Sequence, residues 1–257
     1  KYLKHMVPKY HLPNALNFND VVSSPRQTEM PELSEQSLAF IQYTGGTTGR
    51  SKGAKLTHAN LCWNITQATS IVPAELYQEK TTILTALPLY HIFSLTVSMV
   101  TLTYGGKNLL ITNPRDIPAL ISTLKKEHVH GIPILNTLMH HLMNHPKFTE
   151  IDFSQLRATI AGGMSTQTEV ANRWQKLTSC VVNEGYGLSE TSPIISLSDN
   201  HKVFSGNVGM PAPHTEVRTM DKDGNLCAYD VPGELQVKGP QVMSGYWKIE
   251  TDDEEHP

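Results

Sequence analysis

The chain is poor in several things that would have fixed its class at once. Only three cysteines, Cys62, Cys180 and Cys227, occur in 257 residues, far apart and with no CxxC pair, which argues against a disulfide framework and against a cysteine zinc site. A reducing, cytoplasmic setting is the expectation. The formal net charge is only −3 and no long basic run is present, so neither nucleic acid nor an anionic membrane surface is expected as the main partner. The acidic cluster 252–255 is short and reads as a solvated tail. No apolar stretch followed by a small-residue cleavage site opens the chain, so a signal peptide is not expected. Residues 81–106 contain no Asp, Glu, Lys or Arg, yet Pro88, Tyr90, His91 and several Thr and Ser interrupt them. Two buried elements joined by a turn explain this run better than a membrane span. His141 and His145 share a helix face at metal-ligand spacing but lack a third ligand.

A hydrophobic fraction of 39% permits a sizeable core. Short β-rich runs alternate with helical patterns along most of the chain. Strands are predicted over 38–43, 82–87, 108–112, 129–133, 157–160 and 180–183. Helices are predicted after Thr57, which precedes His58 as an N-cap, and over 92–104, 117–126, from Pro133 to about His145, and over 169–177. The segment 38–43, its Gly-rich turn and the helix after Thr57 read as a first βα unit. This alternation implies an α/β fold, with a mostly parallel sheet and helices on both faces. From about Gly206 the helix signals stop, and residues 216–220 and 233–238 around the turn 221–225 begin a small antiparallel β subdomain. The expected division is 1–205 for the α/β part and 206–257 for the β part. The chain also reads as an excerpt, incomplete on its N-terminal side, because residues 1–20 begin as though already inside a protein.

The densest chemical signal is Tyr-Thr-Gly-Gly-Thr-Thr-Gly-Arg-Ser-Lys-Gly, from Tyr43 to Gly53. Successive small residues let backbone N–H groups turn toward one centre, Thr hydroxyls add donors, and Lys52 adds charge, a combination suited to a polyphosphate. It differs from the Walker A loop, since Arg50 and Ser51 separate Gly49 from Lys52 and Gly53 follows. The bland alternative, a flexible Gly-Thr linker, does not account for the lysine.

Together with Lys55-Leu-Thr-His58, this segment resembles the phosphate loop of acyl-adenylate-forming enzymes, within which the chain is most similar to bacterial long-chain fatty-acid CoA ligases. Three more blocks follow in that family's order. Pro88-Leu-Tyr-His91-Ile-Phe resembles its acid-pocket motif, Glu184-Gly-Tyr-Gly-Leu-Ser-Glu190 its adenine and magnesium motif, and Gly233 to Pro240 with Gly245-Tyr246 a later structural motif. The resemblance implies ATP, Mg2+ and CoA as cofactors and co-substrate, and fatty acid, ATP and CoA as small-molecule partners. It implies that Thr44, Gly45, Gly46, Thr47, Thr48, Gly49 and Lys52 hold the β- and γ-phosphates. Glu190 then anchors the metal with Thr44 beside it.

Gly162 and Gly163 match a glycine turn near the nucleotide, with Ala161 where a third glycine is often found. Glu184, Gly185, Tyr186 and Gly187 match the adenine segment, where the Tyr186 ring stacks. Ser189 stands where the family usually has Thr and keeps the hydroxyl. His91 matches the side chain beside the substrate carboxylate; alone in an apolar stretch it would read as a core histidine. His91, Lys52 and Glu190 are the expected catalytic residues. The resemblance also implies that the C-terminal domain with its catalytic lysine lies beyond this chain, so that the chain by itself is inactive or weakly active. Peripheral attachment at the inner face of a membrane stays open.

The acid-pocket block contains no Asp, as an α-ammonium partner would require, so an amino-acid substrate is disfavoured. The apolar run to Val100 and residues 132–138 are similar to fatty-acid ligases. Two alternatives remain: an aryl-acid or luciferase-like adenylating enzyme, and a non-catalytic nucleotide-binding fragment.

Overall fold

A computed structural model of the chain describes residues 12–23, 31–45, 51–72, 74–77, 80–198 and 203–247. Residues 1–33 and 34–257 separate into two units. In the first, a short helix α1 (Phe18–Val22) begins at Asn17, whose side chain accepts the Asn19 backbone N–H.

The second unit is built on a sheet of seven strands: β3 (Thr82–Thr85), β4 (Lys107–Leu110), β5 (Gly131–Ile134), β6 (Ala158–Gly162), β7 (Val182–Gly187), β8 (Ile194–Leu197) and β9 (Met210–Pro211). Their order across the sheet is β4-β3-β5-β6-β7-β8-β9. The first five are parallel, and β8 and β9 add antiparallel at the edge. Crossovers run through α3 (Ile92–Thr103), α4 (Ile117–Lys126), α5 (Asn136–Met143) and α6 (Thr168–Thr178). The expected α/β class, with its mostly parallel sheet followed by small antiparallel pieces, is the class observed.

Local sequence explains these helices. Pro118 lies in the first turn of α4, where it costs no hydrogen bond, Asp116 caps that turn, and Lys125 and Lys126 sit near the negative end of the helix dipole. Helix α6 buries Val170, Ala171, Trp174 and Thr178, one stripe at 3–4 residue spacing, and leaves its charged residues outside. Trp174 is fully buried between Phe148 and Phe153, and its indole N–H donates to Thr159 Oγ1 at 3.0 Å. That bond satisfies a polar group that burial would otherwise penalise. This face of the sheet holds the larger core, with Leu84, Ile134, Met139, Ala161 and Val182.

A second, three-stranded sheet corrects the sequence reading. The strand expected over 38–43 exists as β1 (Leu38–Thr44), but it does not open a βα unit of the parallel sheet. It pairs antiparallel with β2 (Lys52–Thr57), which in turn pairs with β12 (Tyr246–Trp247). The sequence of β2 is Lys-Gly-Ala-Lys-Leu-Thr, poor in β-branched and aromatic residues; Ala54 and Leu56 nevertheless make it a strand by burying completely against Leu61 and Ile92. Thr57 then caps α2 (His58–Ile71) through a reciprocal box with Asn60, as its position before His58 suggested. The strand predicted over 180–183 also shifts: β7 runs on to Gly187, so the segment 184–187 is itself part of the sheet.

A buried amide network joins these parts. Asn64 exchanges hydrogen bonds with the Ile194 backbone, Gln67 donates to Pro213 O at 2.7 Å, and Gln241 Nε2 donates to Thr215 Oγ1 at 2.7 Å. Asn60 Nδ2 donates to the carbonyls of Pro240 and Val242. Helix α2 thereby fixes the segment that leads into β12. A separate hairpin, β10 (Glu216–Met220) with β11 (Glu234–Lys238), forms its own two-stranded sheet. Among the described residues, no helix is long and apolar enough to cross a membrane.

Candidate active site

A cavity of about 670 Å³ lies between the two larger sheets and α3. That volume suits a small-molecule ligand. Its walls differ in character from end to end.

At one end the carboxyl ends of β6 and β7 meet the start of β2. Thr44 pairs with Lys52 across the β1–β2 ladder, which carries both to the cavity wall. The Ser51 hydroxyl donates to Thr44 O at 2.9 Å and ties the two strand ends together. Glu190 stands opposite on a 3-10 turn (Ser189–Thr191). Its Oε1 accepts the Tyr246 hydroxyl at 2.8 Å, and its backbone carbonyl accepts Met243 N–H at 2.8 Å. The Lys52 ammonium lies 5.4 Å from the centre of the Tyr246 ring, within cation–π range. Burial and the adjacent Glu190 carboxylate push the Tyr246 phenol up to about 12, so it stays a neutral donor at ordinary pH. One tyrosine therefore touches both charged groups.

Tight backbone packing shapes this end. A Cβ on Gly187 would stand 1.9 Å from Pro193 O, so only glycine allows β7 to approach the following turn. Gly163 has φ +80 at the turn after β6, a conformation that side chains disfavour. His91 begins α3, and its Nδ1 accepts the Phe93 N–H at 3.3 Å. That acceptor role leaves the proton of the neutral ring on Nε2.

At the other end the walls are apolar. Phe93, Val97 and Val100 recur at helical spacing on α3 and line the cavity with Ile83 and Ile160. Two threonines of α3, Thr96 and Thr101, also reach the wall, and their hydroxyls are hydrogen-bonded to the protein: Thr96 Oγ1 donates to Ser192 O at 3.1 Å and Thr101 Oγ1 to Val97 O at 2.8 Å, while Ser94 Oγ donates to His91 O at 3.0 Å. The helix thus presents a mostly apolar stripe to the open space, and the hydroxyls of Thr96 and Thr101 within it are hydrogen-bonded to backbone carbonyls.

Of the residues singled out in the sequence, Thr44, Gly45, Lys52, His91, Gly162, Gly163, Gly185, Tyr186, Gly187, Ser189 and Glu190 all line this one cavity. Gly46, Thr47, Thr48 and Gly49 lie outside the described residues. Glu184 is placed differently. It is buried, does not line the cavity, and its Oε1 accepts Thr166 N–H at 2.8 Å, holding the turn after β6 against β7. Two contributors were not singled out as site residues. Tyr246 sat in a block read as structural, and its pairing with Glu190 spans 56 positions. Gln241 gave no signal, because nothing in a lone glutamine announces complete burial.

A glycine-flanked cleft with a lysine, a lone carboxylate and an exposed tyrosine at the carboxyl ends of parallel strands is where an α/β sheet binds a nucleotide. The model of the AMP-binding enzyme family matches residues 4–247, and the chain belongs to that family. The long-chain-fatty-acid–CoA ligase of Escherichia coli O6:H1 is 47% identical over 255 residues, covering 96% of this chain and 45% of the relative. The ligase of the same name from Yersinia pestis is 46% identical over 252 residues, with the same coverage. Among solved structures, ATP-bound MatB from Rhodopseudomonas palustris superposes with a TM-score of 0.70 at 28% identity, covering 84% of this chain and 42% of that one. The chain therefore spans about half the length of the curated relatives it matches.

Proposed function

We propose that the polypeptide carrying this sequence activates a long-chain fatty acid with ATP and passes it to CoA. In the first step a carboxylate oxygen bonds to the α-phosphorus, the bond from that phosphorus to the bridging oxygen breaks, and pyrophosphate leaves. In the second the CoA sulfur, giving up its proton, bonds to the acyl carbon and AMP leaves. A carboxylate is a poor electrophile, and the adenylate supplies the leaving group it lacks.

The observation that carries this reading is the junction of a charged end and an apolar end in one cavity. Lys52 and the glycine and threonine groups from Thr44 to Gly49 hold the β- and γ-phosphates, where N–H, hydroxyl and ammonium donors stabilise the charge that builds on pyrophosphate. Tyr186, 38% exposed at the cavity, offers its ring to adenine, and Gly185 and Gly187 let the base approach the backbone. Ser189 gives a phosphate-directed hydroxyl. His91 stands beside the carboxylate, and Phe93, Val97 and Val100 receive the alkyl chain.

Magnesium suits this donor set. Glu190 commits Oε1 to Tyr246, while Oε2 accepts no hydrogen bond among the described residues. No group of three or more His, Cys, Asp and Glu side chains that could cage a metal occurs among them. A hard cation that keeps several waters and takes the rest of its oxygens from phosphate needs only one or two protein oxygens, which Glu190 and Thr44 provide. When bound it would neutralise phosphate charge. Residues 1–205 are assigned to the α/β part of the adenylation domain and 206–257 to the start of its β subdomain, although β9 and β12 of the latter reach back into the two larger sheets and only the β10–β11 hairpin stands apart.

Acid-dependent ATP–pyrophosphate exchange, measured on the complete polypeptide, tests the reading. Exchange driven by a long unbranched acid is expected. Exchange driven instead by benzoate or an amino acid, or none with any acid, overturns it.

A further inference from the structure

The apolar half of the cavity follows one face of β6. Ala158, Ile160 and Gly162, two apart in sequence and therefore on one face, all line it. Thr159 and Ala161 turn to the opposite core, where Thr159 receives the Trp174 N–H. The polar end is marked by Gly162, paired with Gly185 at the carboxyl end of β6. The far end is marked by Ala158, paired with Gly131 at the amino ends of β6 and β5. From Ala158 to Gly162 the strand advances about 13 Å at about 3.3 Å per residue. An extended alkyl chain with C–C bonds near 1.5 Å gains about 1.3 Å per carbon, so this reach takes about ten carbons.

At the far end one side chain is missing from the wall. A Cβ at Gly131 would stand 2.6 Å from Ile83 Cδ1 and 3.7 Å from Leu76 Cδ2. Ile83 and Leu76 line the cavity themselves and cluster with Ala158, against which Val72, Val97 and Ile160 pack. Any side chain at 131 must therefore displace the tip of Ile83 or fill the space in front of it. In a close-packed interior neither change leaves the depth of the channel intact.

We infer that Gly131 sets the depth of the acyl channel by letting the tip of Ile83 lie back against β5, which keeps room for the carbons of unbranched carboxylic acids longer than about ten carbons. The inference rests on the acid-activating reading above and names its substrate class. Acids too short to reach Gly131 are indifferent to it. Each methylene kept out of the apolar channel weakens binding about fourfold, so the penalty grows with chain length.

The test compares Gly131→Val with the unsubstituted complete polypeptide in acid-dependent ATP–pyrophosphate exchange, using acids of about eight and about sixteen carbons. The expected result is a fall of at least about fifty-fold in kcat/KM for the long acid, with the short acid within about twofold. Should Gly131→Val fail to fold, Gly131→Ala carries the same comparison with a smaller loss. Adding Ile83→Val, which removes the Cδ1 that the new Cβ meets, then restores the long acid. An equal loss for both acids, or an unchanged long acid, overturns the role of Gly131. Absence of exchange with every acid in the unsubstituted protein overturns the acid-activating reading itself.

Discussion

The two sheets that border the cavity are held together in different ways. The seven-stranded sheet is built from neighbours in sequence, each parallel strand returning through a helix, and its larger core is apolar. The three-stranded sheet joins residues 38–57 to Tyr246 and Trp247 across most of the chain, and buried amides fix the segment leading to its last strand. The large sheet supplies shape and, on the turn after β7, Glu190, whereas the small one supplies Lys52 and Tyr246. The fold should therefore be most sensitive to change in the first, and the chemistry to change in the second.

Trp174→Ala sharpens that contrast most. Removing a fully buried indole and leaving Thr159 without its donor should cost about 3–5 kcal/mol, read as a lowered denaturation midpoint. Lys52→Ala is the counterpart on the small sheet. It should lower exchange by about a hundredfold to a thousandfold, as removal of a preorganised charge donor does, while the midpoint barely moves. A comparable stability loss in Lys52→Ala would break the distinction.

Gln241→Ala tests the link between the sheets. It removes the fully buried side chain that bonds Gln67, Thr215 and the Ile194 carbonyl and should cost about 1–3 kcal/mol. It should also reduce exchange, because the segment carrying Tyr246 loses its anchor. Tyr246→Phe is subtler. It removes the bond that orients Glu190, about 1.5–3 kcal/mol for a hydrogen bond to a charged group and less at a half-exposed site. The magnesium concentration for half-maximal exchange should rise, with kcat at saturating magnesium largely kept.

The smallest expected effect is a pH dependence in the large sheet. Burial, with Arg157 and His128 nearby, holds His130 below the usual histidine value, and its Nδ1 accepts Thr82 N–H. The unfolded chain thus binds this proton more readily. Stability from His130 is present above its unfolded value of about 6.5 and is lost as pH falls from there toward the lower folded value. Melting temperature followed from pH 7 to about 5 should decline less in His130→Gln than in the parent.

This contrast also explains what the sequence could tell. Helices α4 and α6 were legible because their apolar stripes are local, and Thr57 marked the start of α2 through a contact three residues away. The blocks around Lys52, Tyr186 and Glu190 stand out by their glycine and charge, whereas His91 and Gly162 were legible only through their likeness to family motifs. Strand β2 could not be read from Lys-Gly-Ala-Lys-Leu-Thr, since only burial against Leu61 and Ile92 makes it one. Glu184 looked like part of a nucleotide motif, yet its carboxylate is spent on Thr166 N–H. Tyr246 and Gln241 act across long sequence separations, which no periodicity encodes.

The central claim is that the groups around Lys52 and Glu190 and the greasy stripe on α3 belong to one site. A crystal structure of the complete polypeptide with a hydrolysis-resistant acyl-adenylate analogue addresses it most directly. The adenosine should lie against Tyr186, with the alkyl chain running between Val97 and Ile160 toward Gly131. Density for the alkyl chain on any other surface, or adenosine away from Tyr186, would contradict it.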